Sequence, residues 1–367
     1  MKKLMVLCIV MTSLIQLKAQ NNTYQFLIGT YTVNTTSKGI YSLNFDAENN
    51  KANLILAADS LSNPSFITFS SDKKFLYAVN ESGEQSKVVA FQFDKKTAKL
   101  KKINSVSAVG LGPCHITCSA SHVFTANYTS GSVCVFERKP DGSLSEAIQV
   151  VQHQGKSINV TRQNVPHAHQ TTLSPDGKFL LVNDLGTDYL TVYAYDKNAK
   201  NDVLTLHDKM LVKPGSGPRH LTFSKNGKSI YLLHELDGTI THLALNEGKL
   251  TKKHETTVIR KKDIIAGAAD IHIDHKGKFL YATNRGNAND ISCFKILKNG
   301  DLQFVQQIST SGSSPRNFAI TNDDKYILVG NQKTNQIVVF NINNKTGELT
   351  ENKNKIDLGA PVCILEF

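Results

Sequence analysis

One segment recurs along this chain, as NPSFITFSSDKKFLYAVNE (63–81), GPCHITCSASHVFTANY (112–128), VPHAHQTTLSPDGKFLLVND (165–184), GPRHLTFSKNGKSIYLLHE (217–235), GAADIHIDHKGKFLYATNR (267–285) and SPRNFAITNDDKYILVGNQ (314–332). The prolines that open five copies, Pro64, Pro113, Pro166, Pro218 and Pro315, are 49, 53 and 52 residues apart, then 97 across the copy that lacks one. A repeat of that length belongs to a propeller or a solenoid. Within a copy, Leu221 and Phe223, the turn Lys225-Asn226-Gly227-Lys228, and Ile230 and Leu232 read as a strand hairpin. A third β-rich run follows each hairpin, among them DYLTVYAYD (188–196) and GTITHLALN (238–246), and the residues before the next copy leave room for a fourth strand. Four antiparallel strands per repeat make a propeller blade.

The six full copies do not close a ring, but the ends complete it. Pro361–Phe367 has the phase of the first half of a hairpin and Tyr24–Tyr31 that of the second. The expected fold is therefore all-β, a seven-bladed β-propeller of four-stranded blades, closed by pairing of the N- and C-terminal strands and forming one domain over 20–367. The absence of Trp argues against tryptophan-aspartate repeats.

Residues 1–19 differ in kind. Lys2 and Lys3 precede an apolar run from Leu4 to Leu17, and Ala19 before Gln20 fits a cleavage point, so the segment reads as a signal peptide and predicts export, in a bacterium to the periplasm. No stable membrane insertion is expected after cleavage. Without Lys2, Lys3 and Lys18 the formal charge falls from +11 to +8, and the basic residues are scattered. That favours a small anionic ligand over nucleic acid. Five cysteines remain beyond the leader, an odd number that makes no disulfide framework.

Chemistry in a propeller belongs at polar positions repeated around the channel mouth. The column at the end of the second strand reads Thr30, Asn80, Asn127, Asp184, His234, Asn284 and Asn331, residue types suited to capping strand ends. The next column reads Tyr31, Glu81, Tyr128, Leu185, Glu235, Arg285 and Gln332, and one inside the first strand reads Ser65, Cys114, His169, Arg219, Ala269, Arg316 and Val362. Folding the 217–235 hairpin about Gly227 sets Arg219 opposite Glu235, with Arg285 and His169 supplied by the neighbouring blades. This is a cluster of acid, base and cation. The plainer alternative is a salt bridge that staples one blade. Against it, the pair occurs in one blade only, and its neighbours are a second cation and an imidazole.

His167, His169, His115, His220, His234 and His272 invite comparison with metal ligands, but no HExxH or paired CxxC pattern accompanies them. A proton shuttle at His167 or His169 is the expectation, with no metal and no cofactor. No GxSxG elbow is present, and Ser174 and Ser224 read as turn residues.

GPRH (217–220), HE (234–235), PHAH and SPDGKFLLVNDLG (166–186), ATNRG (282–286) and ANYTSGSV (126–133) together resemble the seven-bladed propeller lactonase family, which includes propeller-type 6-phosphogluconolactonases and carboxy-muconate lactonizing enzymes. The resemblance implies a carboxylic-ester hydrolase opening a sugar lactone, with His167 or His169, Arg219, Glu235 and Arg285 as the catalytic set. His234, Asn284, His220, Arg316 and Asp184 are candidate substrate-binding residues around it. Two role assignments are open: Glu235 or a PHAH histidine takes the proton from water, while Arg219 and Arg285 hold the carbonyl oxygen. The alternatives are a lactone-forming cycloisomerase and a non-enzymatic binding propeller, to which Tyr281-Ala282-Thr283-Asn284 bears some likeness.

Overall fold

The hairpin turn that punctuates each repeat sets the blade geometry. In the fourth blade the Ser224 hydroxyl donates to Asn226 Oδ1 at 2.7 Å and accepts the Ser229 amide at 2.9 Å. Gly227 supplies the positive φ of +70° that the reversal requires. Ser174 and Asp176 repeat the device one blade earlier, confirming the turn role of both serines.

The computed structural model describes residues 23–367. They form seven four-stranded sheets, each an antiparallel meander. Blades one to six span 67–107, 113–152, 168–211, 218–257, 268–309 and 315–357, each running from an innermost strand to an outermost one. Blade seven is composite: Pro361–Glu366 is its innermost strand and Thr23–Thr30, Gly39–Asp46 and Lys51–Asp59 are the other three. Leu27 stands opposite Leu365 and Ile28 opposite Ile364, the ring closure expected from the chain ends. The expected leader, residues 1–19, lies outside the described residues. Among the described residues no helix is long and apolar enough to cross a membrane.

Burial follows strand rank. Second strands such as Ser229–His234 are packed on both faces and read as almost continuous apolar runs, whereas outer strands such as Lys249–Thr257 are mostly exposed. The core is divided into seven apolar clusters, one in each joint between neighbouring blades. Leu27, Ile67, Leu76 and Cys363 fill the closing joint between blades seven and one. Tyr77, Tyr231 and Tyr281 add a polar tie to three joints, each donating its buried hydroxyl to a turn carbonyl of the next blade, Gly142, Gly300 and Gly347 respectively, at 2.7–3.0 Å.

A second recurrent device aims side chains at the channel. Where the innermost strand meets the second, the ladder skips a residue: Pro113 pairs with Asn127 but His115 with Ala126, Ala168 with Asp184 but Gln170 with Asn183, Pro218 with His234 but His220 with Leu233, and Pro315 with Asn331 but Asn317 with Gly330. The skipped residues are Cys114, His169, Arg219 and Arg316. A bulge releases its extra residue from the pleat and re-aims it, and here the four turn towards one end of the channel.

Candidate active site

At that end lies a cavity of about 210 Å³ lined by Tyr31, Glu81, Gly112, Cys114, Tyr128, Thr129, Arg162, His169, Glu235, Arg285 and Arg316. Every blade contributes: blade two lends both Cys114 and Tyr128, blades three and six lend the bulged His169 and Arg316, and blades one, four, five and seven lend the residue just beyond the second strand.

Glu235 is the anchor of one side. Its Oε1 accepts Arg162 Nη2 at 2.6 Å, and its Oε2 lies 2.8 Å from Arg285 Nη2 and 3.1 Å from Arg219 Nε. Glu235 is 6% exposed and Arg219 1% exposed, so solvent screens that pair little. Burial alone would raise Glu235, but Arg285, Arg219 and Arg162 overcome it and hold the carboxyl well below the usual carboxylate range. Burial, with the like charges of Arg285 and Arg316, pushes the Arg219 guanidinium down to about 9, which leaves it a cation at neutral pH. Arg219 also donates to the Ala269 carbonyl, and Arg285 Nε donates to the Gly267 carbonyl at 2.9 Å. Arg162 Nη2 donates as well to the Tyr128 hydroxyl at 3.2 Å. Each guanidinium is thus clamped at one end.

The other side carries Glu81, Arg316 and Tyr31. Among the described residues Arg316 has no hydrogen-bonded acid; its guanidinium sits 5.5 Å above the Tyr31 ring. Burial opposes its charge, but Tyr31, Glu81 and Glu235 outweigh that and raise it. Four guanidiniums therefore surround two carboxylates, and the site carries an excess of positive charge.

His169 shares this cavity, with Nδ1 3.9 Å from the Cys114 thiol. Burial first, then Arg219, His220 and Arg316, hold its imidazole neutral, well below its ordinary range, contrary to the expected near-neutral titration. Cys114 is pushed up to about 12 by burial and by Glu81, and stays a thiol.

The expected set is thus partly assembled. Glu235, Arg285, His169 and Arg316 line the cavity, whereas Arg219 is fully buried outside the lining and meets the site through its bond to Glu235. His167 does not line it: its Nδ1 donates to the Tyr128 carbonyl at 2.9 Å and its ring stacks on Tyr128 with centroids 4.3 Å apart. It braces the residue that braces Arg162. Asp184, His234 and Asn284 are likewise withdrawn from the lining, because their polar atoms hold loops. Asp184 Oδ1 accepts the His167, Gly186 and Thr187 amides, His234 bonds Ser216 and Thr241, and Asn284 Oδ1 accepts the Gly267 amide. Most of the asparagine column does the same. His220 lies deeper, against His169 and bonded at 2.8 Å to Asp270, which also binds His272 at 2.9 Å. Burial pushes His220 down to about 4 despite that carboxylate. Among the described residues no group of three His, Cys, Asp or Glu side chains is arranged to hold a metal ion.

Arg162 was not among the expected residues. It reaches the site from 153–167, the longest connection between blades and outside the repeat columns.

The fold and the site define a seven-bladed propeller with an arginine-rich pocket at one mouth of its channel. The chain belongs to the lactonase, 7-bladed beta-propeller family, whose model matches residues 25–366. It is 36% identical to the 6-phosphogluconolactonase of Formosa agariphila, over 88% of this chain and 93% of that one. A crystal structure from Bacteroides fragilis superposes with a TM-score of 0.90 at 38% identity, covering 95% of this chain and 98% of that one. The periplasmic gluconolactonase of Pseudomonas aeruginosa superposes at 0.89 and 31% identity, covering 94% and 99%.

Proposed function

We propose that this protein hydrolyses a monosaccharide-sized sugar lactone to its open acid, with an anionic lactone of the 6-phosphogluconolactone kind as the preferred substrate and gluconolactone as the uncharged comparison. The observation that carries this reading is Arg316, a guanidinium facing the cavity with no acid of its own, beside three others already matched to Glu235. An unmatched guanidinium recognises a phosphate or carboxylate in a bidentate manner. The names borne by the relatives agree with it.

In this reading water attacks the lactone carbonyl, and the oxygen that gains charge is received by N–H groups of Arg162 and Arg285. Glu235 fixes both guanidiniums before substrate arrives, so they need little reorganisation as the charge develops. A carboxylate matched by three cations is a poor proton acceptor, so Glu235 is an anchor for arginines and not the base. The tetrahedral intermediate collapses with cleavage of the bond from carbonyl carbon to ring oxygen, giving the hydroxy acid.

The leader-like residues 1–19 support export, where the protein would meet its lactone outside the cytoplasm. The test is hydrolysis of 6-phosphogluconolactone and glucono-δ-lactone by the chain beginning at Gln20, with the spontaneous rate subtracted. Turnover of both, with the higher kcat/KM on the phosphorylated lactone, is the expected result. Equal kcat/KM on the two would remove the anion preference, and no turnover of either would remove the hydrolytic reading.

A further inference from the structure

The site holds two carboxylates at equivalent positions of two repeats. Glu81 follows Ser65 by 16 residues in blade one, as Glu235 follows Arg219 by 16 in blade four. Three steps around a ring of seven set these blades on opposite sides of the channel. The repeat puts both acids at the mouth, and both line the cavity. Their partners differ because the residue 16 positions earlier differs: Arg219, at the bulge of blade four, is a cation, and Ser65, just ahead of the short innermost strand of blade one, is a neutral hydroxyl.

We propose that Glu81 is the general base of this site, taking a proton from the attacking water and returning it to the ring oxygen as the lactone opens. This rests on the hydrolytic reading above. The water O–H bond breaks as its oxygen bonds the carbonyl carbon, and the proton passes to the Glu81 carboxylate. When the intermediate collapses, the bond from carbonyl carbon to ring oxygen breaks and the same proton goes to the departing alkoxide. Lactone and water thus become hydroxy acid with Glu81 restored.

Three observations support it. The side-chain hydrogen bond to the Glu81 carboxylate comes from the Ser65 hydroxyl, and among the described residues no cation is ion-paired to it, which leaves acceptor capacity for a water. The charged and titratable groups that face it, Arg316, Tyr31 and Cys114, include one cation, against three on Glu235. Burial raises Glu81, with Ser65 and Arg316 only partly opposing, while Glu235 moves the other way. Two acids pushed in opposite directions by their surroundings mark a division of roles.

The experiment is the pH dependence of kcat/KM on the lactone that the wild type turns over best, for wild type, Glu81→Gln and Ser65→Ala, with thermal unfolding as the control for folding. Wild type should lose activity on an acid limb above the ordinary glutamate range. Glu81→Gln should lower kcat about 100- to 10,000-fold with KM changed little, and abolish the limb. Ser65→Ala removes a hydrogen bond that favours the ionised form, so its acid limb should move to higher pH while activity above the limb persists; this arm reads Glu81 even if the glutamine variant folds poorly. A Glu81→Gln protein that keeps over a tenth of wild-type kcat, or keeps the acid limb at whatever rate, overturns the proposal, as does a Ser65→Ala limb that stays in place. A wild type silent on both lactones would remove the hydrolytic reading and this inference together, an outcome distinct from an active wild type matched by an active Glu81→Gln.

Discussion

Arg219 meets Glu235 without being its ladder partner: Pro218 pairs with His234 and His220 with Leu233, and the bulged Arg219 places Nε 3.1 Å from Glu235 Oε2. In a regular hairpin a one-residue shift would send the side chain to the opposite face of the blade. The bulge lets it reach Glu235 and the Ala269 carbonyl instead.

Removing this guanidinium strands a buried carboxylate and opens a void in the channel. Arg219→Ala should cost about 3–5 kcal/mol of stability, the usual penalty for breaking a buried pair from one side. Arg162→Ala removes a pair to the same Glu235 from a side chain that is 42% exposed. It should cost about 1 kcal/mol or less, while still lowering lactone turnover. Urea unfolding midpoints and kcat/KM for the two variants check this contrast.

Glu235 also makes stability depend on pH. Folding lowers this carboxyl, so its contribution is present in full above the unfolded glutamate value of about 4.3 and is lost as pH falls below that towards its folded value. Glu235→Gln should therefore be less stable than wild type at pH 7 by about 3 kcal/mol, and the gap should narrow steadily between pH 5 and the acid limit. A gap independent of pH, measured by urea titration at several pH values, would mean that the three ion pairs add nothing to stability.

For Arg316 the expected change is in selectivity and not in stability. Arg316 makes no ion pair with an acid among the described residues and faces Glu81 only at longer range, so Arg316→Ala should unfold within about 1–2 kcal/mol of wild type. Losing one charge-assisted contact of about 1.5–3 kcal/mol should reduce kcat/KM on the phosphorylated lactone about 10- to 150-fold. The uncharged lactone should change far less, and paired kinetics on both substrates decides it.

The architecture was legible because a propeller writes itself repeatedly: the hairpin, the third run and the turn occur in every copy, and the chain ends carry complementary halves of a seventh. The two columns facing the channel were legible for the same reason, and Arg219, Glu235, Arg285, His169 and Arg316 came from them. The bulge was not, because it carries no residue type of its own; Cys114, His169 and Arg316 share a place and nothing else. Arg162 was hidden because it stands between repeats, although the length of 153–167 marks an insertion at the functional end. Asp184, His234 and Asn284 came from the column at the end of the second strand, where capping was the plainer reading, and His167 came from the PHAH motif. Their neighbouring backbone amides and carbonyls, invisible in a sequence, claim them first.

The joints between blades offer a prediction that separates scaffold from site. Tyr231 is fully buried, and its hydroxyl donates at 2.7 Å to the Gly300 carbonyl of the next blade, in a turn where Gly300 takes a φ of +87°. Tyr231→Phe keeps the ring and its packing but leaves that carbonyl without its partner. The expected cost is about 1 kcal/mol, seen as a fall of about 1–3 °C in the unfolding midpoint of a domain this size. The hydroxyl joins blade four to blade five at a turn remote from the mouth loops, so kcat/KM should stay within about twofold of wild type. A large loss of turnover in Tyr231→Phe, with the midpoint unchanged, would mean that the joint transmits to the mouth and that the ring is less rigid a frame than its seven packed joints imply.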